Sequence, residues 1–100
     1  MRRYDRHTTE IRAHTGETFL LELSARTTAG YAWQVLRMPK VAELKTERTR
    51  RAGPASGAAS VQEFEFHVTR VGEGTLVMSY GRHWESRASE QIDVRVVVER

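Results

Sequence analysis

Histidines are the first side chains to consider for catalysis or metal binding, because imidazole serves both as a general base and as a ligand. The chain has His7, His14, His67 and His83, and none shows the spacing of a known metal motif. His67 falls on the polar face of a predicted strand, where a solvated histidine is the ordinary state. The sequence therefore predicts no metal site and no bound cofactor.

Carboxylates and hydroxyls are the next candidates, and none has the context that an active site requires. Glu63 and Glu65 lie two residues apart on one strand face, where they could flank a substrate, but an exposed charged face explains them equally well. Ser79 lacks the leading glycine of a nucleophile elbow. The glycines at 72 and 74 precede a strand instead of the helix that a dinucleotide site needs. We therefore predict that the protein is not an enzyme.

The composition is typical of one globular domain. The 100 residues are 39% hydrophobic and 29% charged, and the absence of cysteine excludes disulfides and thiolate chemistry. We predict a single domain over residues 1–100, with residues 1–7 disordered or loosely attached. Apolar runs are short and none follows the basic start, so we expect no membrane partner and no signal peptide. The protein either acts in the cytoplasm or was exported and lost a leader.

The net charge of +3 raises nucleic acid as a partner, because basic domains bind phosphate backbones. The arginines are scattered, however, and only Arg48, Arg50 and Arg51 cluster. No aromatic residue interleaves with this cluster, as a base-stacking platform would need. We therefore expect no nucleic acid partner.

Alternation of apolar and polar residues dominates the chain and predicts half-buried strands. The clearest case is Gln62–Val71, in which Phe64, Phe66 and Val68 alternate with polar neighbours. The same pattern marks Thr9–Ala13, Thr18–Ser24, Tyr31–Leu36, Thr75–Tyr80 and Gln91–Glu99. With turn signals between them, these segments predict an all-β fold, an immunoglobulin-like antiparallel β-sandwich of about seven strands, with a small barrel as the alternative.

Two consecutive segments in the middle of the chain depart from this alternation. Val41–Lys45 is the only helix candidate, and it is short. Thr46–Ser60 has no large apolar side chain and predicts a long connection between strands. Loops of that length are usually functional or disordered.

Three connections carry residues that are unusual for the turns of a sandwich, where binding residues commonly lie. The first is Arg26–Gly30, a small and polar tip joined directly to Tyr31. The second is Gly57–Ser60, and the third contains Arg82, His83 and Trp84. A tryptophan in a polar turn either packs back onto the edge of the core or faces a partner, and the sequence is compatible with both.

These segments resemble, in order and placement, the loop motifs of the chagasin-like inhibitors of papain-type cysteine peptidases. The motifs of that family are Asn-Pro-Thr-Thr-Gly-aromatic, a glycine-rich segment and Arg-Pro-Trp. Here they correspond to Arg26-Thr27-Thr28-Ala29-Gly30-Tyr31 (with Trp33 two residues on), Gly57-Ala58-Ala59-Ser60 and Arg82-His83-Trp84. The resemblance covers nearly the whole chain. The departures are Arg26, Thr27 and Ala29 in the first motif, Ala59 and Ser60 in the second, and His83 in the third.

The resemblance implies a monomeric inhibitor whose three loops enter the active-site cleft of a papain-like cysteine peptidase and inhibit it reversibly and competitively. It assigns the peptidase contacts to Thr27, Thr28, Ala29, Gly30, Tyr31, Gly57, Ala58, Ala59, Ser60, Arg82, His83 and Trp84. Arg82 would either touch the peptidase or hold Trp84 and the neighbouring loop. Because of the departures, an immunoglobulin-like interaction module with a non-peptidase partner is the alternative.

Overall fold

The computed structural model describes residues 1–51 and 59–100, and most of them lie in strands. These ranges contain eight strands and one short 3₁₀ helix, Thr27–Ala29. The strands are β1 (Arg2–Tyr4), β2 (Glu10–His14), β3 (Thr18–Ala25), β4 (Tyr31–Arg37), β5 (Ala42–Arg51), β6 (Ser60–Val68), β7 (Gly72–Arg82) and β8 (Glu90–Glu99).

The strands form two four-stranded sheets that face each other as a sandwich. One sheet has the order β1-β3-β6-β5 and the other has the order β2-β8-β7-β4. Consecutive pairs such as β5–β6 and β7–β8 are antiparallel, whereas β1 runs parallel to β3 and β2 runs parallel to β8. The predicted all-β, immunoglobulin-like sandwich is confirmed, with eight strands in the described residues instead of about seven.

The core lies between the sheets and consists of the residues that alternate in the sequence. On β6, Phe64, Phe66 and Val68 are almost completely buried, and Phe66 stacks on Phe19 of β3 with 5.2 Å between the ring centroids. The facing sheet contributes a run of buried valines from β8. Removing this apolar area from water supplies the main stabilisation of the domain and gives its loops a rigid base.

The short helix candidate Val41–Lys45 does not form a helix, because Ala42–Arg51 forms strand β5. β5 is an edge strand that pairs antiparallel with β6, from Ala42 opposite Val68 to Arg51 opposite Ser60. After Ala42 all of its side chains are exposed, so no apolar alternation marks it in the sequence. Backbone hydrogen bonds to β6 hold it in place. The connection predicted over residues 46–60 is correspondingly shorter, since residues 46–51 belong to β5.

The start of the chain is attached more closely than predicted for residues 1–7. Strand β1 pairs with β3, and the Tyr4 ring packs edge-on against Phe19 at a centroid distance of 5.9 Å. Arg6 forms an ion pair with Glu90 at the start of β8. Of the helical segments in residues 1–51 and 59–100, none has the length and apolar character needed to span a lipid bilayer.

Candidate functional site

The first predicted loop is a single tight turn between β3 and β4. Residues Thr27–Ala29 form the 3₁₀ helix, and Gly30 ends it in the left-handed conformation with φ of 87°. Its backbone is closed by Gly30 N–H donating to Thr27 O at 3.0 Å and Tyr31 N–H donating to Arg26 O at 3.1 Å. Glycine enters this conformation without the steric cost that a β-carbon brings. The tip Thr28-Ala29-Gly30 is therefore narrow and held in one shape.

An aromatic cluster anchors the base of this turn. Tyr31 stacks on Tyr80 of β7 at a centroid distance of 5.3 Å, and Trp33 lies 4.8 Å from the same ring. The Tyr80 hydroxyl accepts a hydrogen bond from Arg26 N–H at 2.9 Å, and Trp33 Nε1 donates to Ser24 O at 2.9 Å. Both ends of the first loop are thus fixed to buried groups, which limits its movement relative to the sheets.

Trp84 lies at the tip of the third loop, between β7 and β8. The loop is closed at its base, where Ser89 N–H donates to Tyr80 O at 2.7 Å. Trp84 is 60% exposed, and its indole nevertheless lies against the backbone of Gly30. One edge of the indole therefore packs on the first loop, and the rest of the side chain is exposed.

Arg82 connects the first loop to the third. Its Nε donates to Ala29 O at 3.1 Å, and its guanidinium lies 4.4 Å from the Tyr31 ring centroid and 5.6 Å from that of Trp84. A planar guanidinium can donate in its plane and stack on an aromatic face at the same time. Arg82 therefore holds the two loops together.

Only the last two residues of the second predicted segment are described by the structure. Gly57 and Ala58 lie outside the described residues, whereas Ala59 and Ser60 are described at the start of β6. The Ser60 hydroxyl is 2.8 Å from the Thr27 hydroxyl. The end of this segment therefore adjoins the first loop.

The first loop, the third loop and the described end of the second segment meet at one end of the sandwich, called the loop end from here on. It comprises residues 26–30, 51, 59–60 and 82–90, together with Arg6, which pairs with Glu90. His83 also lies there, with its ring edge-on to Trp84 at 4.7 Å. In the part of the chain that the structure describes, no three metal-ligating side chains are close enough to hold an ion.

One structural residue of this site, Gln62, was not predicted from the sequence. Gln62 is buried, and it reaches across the sandwich to the backbone of Trp33. Its Oε1 accepts from Trp33 N–H at 2.6 Å, and its Nε2 donates to Trp33 O at 3.2 Å. The alternation along β6 could have indicated it, because Gln62 lies two residues before Phe64 and therefore on the same strand face as Phe64 and Phe66. A polar residue on the buried face needs partners there.

Comparisons with known proteins identify the family and the fold of the chain. A family model described as Chagasin family peptidase inhibitor I42 matches residues 12–98. No curated protein gives a significant match. Among solved structures, the chain is similar to the cysteine protease inhibitor EhICP2 from Entamoeba histolytica, with a TM-score of 0.86 and 18% identity, over 98% of this chain and 95% of that one.

Two further solved structures share the fold. Amebosin gives a TM-score of 0.78 and 23% identity, over 97% of this chain and 96% of that one. PbICP-C, solved in complex with falcipain-2, gives a TM-score of 0.68 and 16% identity, over 99% of this chain and 91% of that one. Since the family model covers most of the chain, the chain belongs to the chagasin family of peptidase inhibitors, as its motifs implied, and is not an enzyme.

Proposed function

We propose that the protein is a reversible, competitive inhibitor of papain-like cysteine peptidases, and that its loop end enters the active-site cleft as a wedge. Family membership supports inhibition of a peptidase. The complex of PbICP-C with falcipain-2 supports a protein–protein contact as the mode of action. The departures in all three motifs bear on potency and target range more than on the fold.

The observation that carries the proposal is the contact of Trp84 with Gly30, bridged by Arg82 to Ala29. It joins two of the three motifs into one surface before any partner binds. A surface that is ordered in advance loses less conformational entropy on association, so more of the contact energy appears as affinity.

The small side chains of the tip fit a close approach to the catalytic cysteine. Thr28, Ala29 and Gly30 would lie over the nucleophile, with Thr27 and Tyr31 at their sides. The 3₁₀ turn keeps this segment from the extended conformation in which a substrate is cleaved. The tip brings no electrophile of its own, so inhibition would involve no covalent step.

The other two segments would contact the cleft on either side of the tip. Trp84, with Arg82 and His83, would pack on the primed side, where an aromatic side chain can bury a large area. Gly57, Ala58, Ala59 and Ser60 would lie on the unprimed side.

The test is titration of the protein into papain, with residual activity as the readout. We expect the Trp84→Ala variant to weaken inhibition by about 2 kcal/mol, or about thirtyfold, as for interface hot spots. Val71→Ala is the control, because Val71 is 55% exposed in a turn at the opposite end. Ala29→Trp should abolish inhibition without unfolding the domain.

The outcomes of this titration distinguish a peptidase inhibitor from an interaction module with another partner. Equal inhibition by wild type and Ala29→Trp would show that the tip does not approach the cleft. Absence of inhibition at micromolar concentration, with the domain folded, would favour an immunoglobulin-like interaction module with a non-peptidase partner.

A further inference from the structure

The loop end carries an excess of positive charge. The strand register brings together arginines from four separate segments, because Arg51 lies opposite Ser60 and Arg82 lies opposite Tyr31. The set is Arg6, Arg26, Arg51, Arg82 and Arg87. Only two carboxylates share this end, Glu85 and Glu90, so its net charge is +3.

The remainder of the molecule is neutral. The chain has sixteen basic and thirteen acidic residues. Removing the five arginines and two glutamates of the loop end leaves eleven basic and eleven acidic side chains. Residues 52–58, which lie outside the described residues, contain no ionisable side chain. The whole net charge of the protein therefore lies at one end.

Three of these arginines keep their charge available to a partner. Arg6 is paired with Glu90, and Arg82 lies 3.9 Å from Glu85. Arg26, Arg51 and Arg87 are exposed, and they form no ion pair within 4.0 Å in the described part of the chain. Elsewhere the arginines commonly have carboxylate partners, as Arg48 and Arg50 do with Glu63.

The positions of these three arginines relative to the tip determine which part of a partner they could contact. Arg26 immediately precedes the tip, and Arg87 lies in the third loop. Arg51 is the last residue of β5 and lies opposite Ser60 of the second segment. These arginines flank the tip instead of forming it, so a peptidase whose cleft received the tip would meet them at its rim. Rim charges influence the association rate and partner choice more than the strength of the final complex.

Resting on the proposed function, we infer that the arginine ring formed by Arg26, Arg51 and Arg87 selects peptidases whose cleft rim is acidic. A peptidase rim of opposite charge to the arginines raises the association rate, because it attracts the two proteins into the orientation that leads to binding. A rim of like charge lowers the rate. The protein would therefore associate faster with papain-like enzymes that carry Asp and Glu around the cleft than with those that carry Lys and Arg.

The experiment compares two papain-like peptidases of solved structure, one with a net negative and one with a net positive cleft rim. The variant Arg26→Gln/Arg51→Gln/Arg87→Gln removes the ring. The matched control is Arg37→Gln/Lys40→Gln/Arg70→Gln, which removes the same charge near the opposite end. Those control residues are also exposed and without an ion pair in the described part of the chain. Association and dissociation rates are measured by stopped flow.

With the acidic-rim enzyme in about 50 mM NaCl, we expect the ring variant to associate about tenfold more slowly and the control less than about twofold more slowly. In about 500 mM NaCl the difference should nearly vanish, because screening then acts within a few ångströms. Dissociation rates should stay within about twofold. For the basic-rim enzyme, the ring variant should associate faster than wild type.

Other results overturn the inference. If both enzymes are inhibited but the ring variant and the control behave alike, the ring does not select the partner while the proposed function stands. If neither enzyme is inhibited at either salt concentration, the proposed function fails with it. A salt-sensitive complex with a generic oligonucleotide that competes with the peptidase would assign the ring to nucleic acid instead.

Discussion

The indole of Trp84 lies so close to Gly30 that a β-carbon added to Gly30 would come within 2.3 Å of Trp84 Cη2. The two residues are 54 positions apart in the sequence. Gly30 thus has two roles, since it ends the 3₁₀ turn in a left-handed conformation and leaves the space that one edge of the indole occupies. The shape of the proposed wedge depends on the absence of one side chain.

Gly30→Ala should therefore displace Trp84 and weaken inhibition of papain by about tenfold, because the indole loses its supporting surface. The left-handed conformation would also destabilise the fold by about 1 kcal/mol. Gly16→Ala is a close control, since Gly16 has φ of 94° and nothing within 4 Å of an added β-carbon. The measurements are inhibition constants and urea unfolding. Equal inhibition by the two variants would show that the Trp84 contact does not contribute.

Arg82→Lys should weaken inhibition by about tenfold even though it preserves the charge, because lysine lacks the planar group that donates to Ala29 O while stacking on Tyr31. The change acts by loosening the two loops, so Trp84 should become more accessible to acrylamide quenching of its fluorescence. Arg87→Lys, in the same loop, is the control. If Arg82→Lys inhibits as well as wild type, the charge alone is sufficient at this position.

The sandwich was predictable because most strands bury one face, and burial of every second residue leaves a period of two in the sequence. β5 shows the limit of this signal. Its side chains are exposed after Ala42, and its position depends on hydrogen bonds between main chains, which any residue except proline can make. The sequence of β5 therefore carries no alternation of apolar and polar residues that would predict a strand.

The positions of the first and third loops were predictable from the sequence, but the choice between alternative contacts of their side chains was not. A tryptophan in a polar turn is compatible with two placements, and the choice depends on which surface lies opposite. That surface is the backbone of Gly30, and its distance from Trp84 is fixed by the pairing of β4 with β7. The bridging role of Arg82 has the same origin. Such relations arise from packing between distant segments, which no local pattern encodes.

Gln62→Leu should destabilise the domain by about 2 kcal/mol, because it leaves the N–H and C=O of Trp33 buried without partners. Gln62 is only 4% exposed, so water cannot easily replace it. Gln34→Leu, on the exposed face of β4, provides the control. Urea unfolding at neutral pH measures both. Since Trp33 supports the first loop, the Gln62 variant should also inhibit papain less well under conditions where it is fully folded. A loss of stability no greater than that of the control would contradict this role.

Glu63 should make stability depend on pH in the acid range. Its side chain is 6% exposed, and both carboxylate oxygens accept hydrogen bonds, from Arg50 at 3.0 Å and from Arg48 at 2.7 Å. Hydrogen bonds from Arg50, then Arg48, hold the pKa of the Glu63 carboxyl below its ordinary value of 4.5. The unfolded chain therefore binds this proton more readily than the folded one does.

The resulting contribution to stability is fully present above pH 4.5 and is lost as the pH falls from there through the lowered pKa of the folded state. Glu63→Gln should thus be less stable than wild type at neutral pH, and the difference should shrink on acidification. Glu73→Gln removes an exposed carboxylate paired with Arg95 and should change stability little at any pH, because exposed pairs are screened by solvent. Thermal unfolding of the three proteins between neutral pH and about pH 3 measures the effect. A constant difference between wild type and Glu63→Gln across that range would mean that Glu63 stabilises by packing and not through its charge.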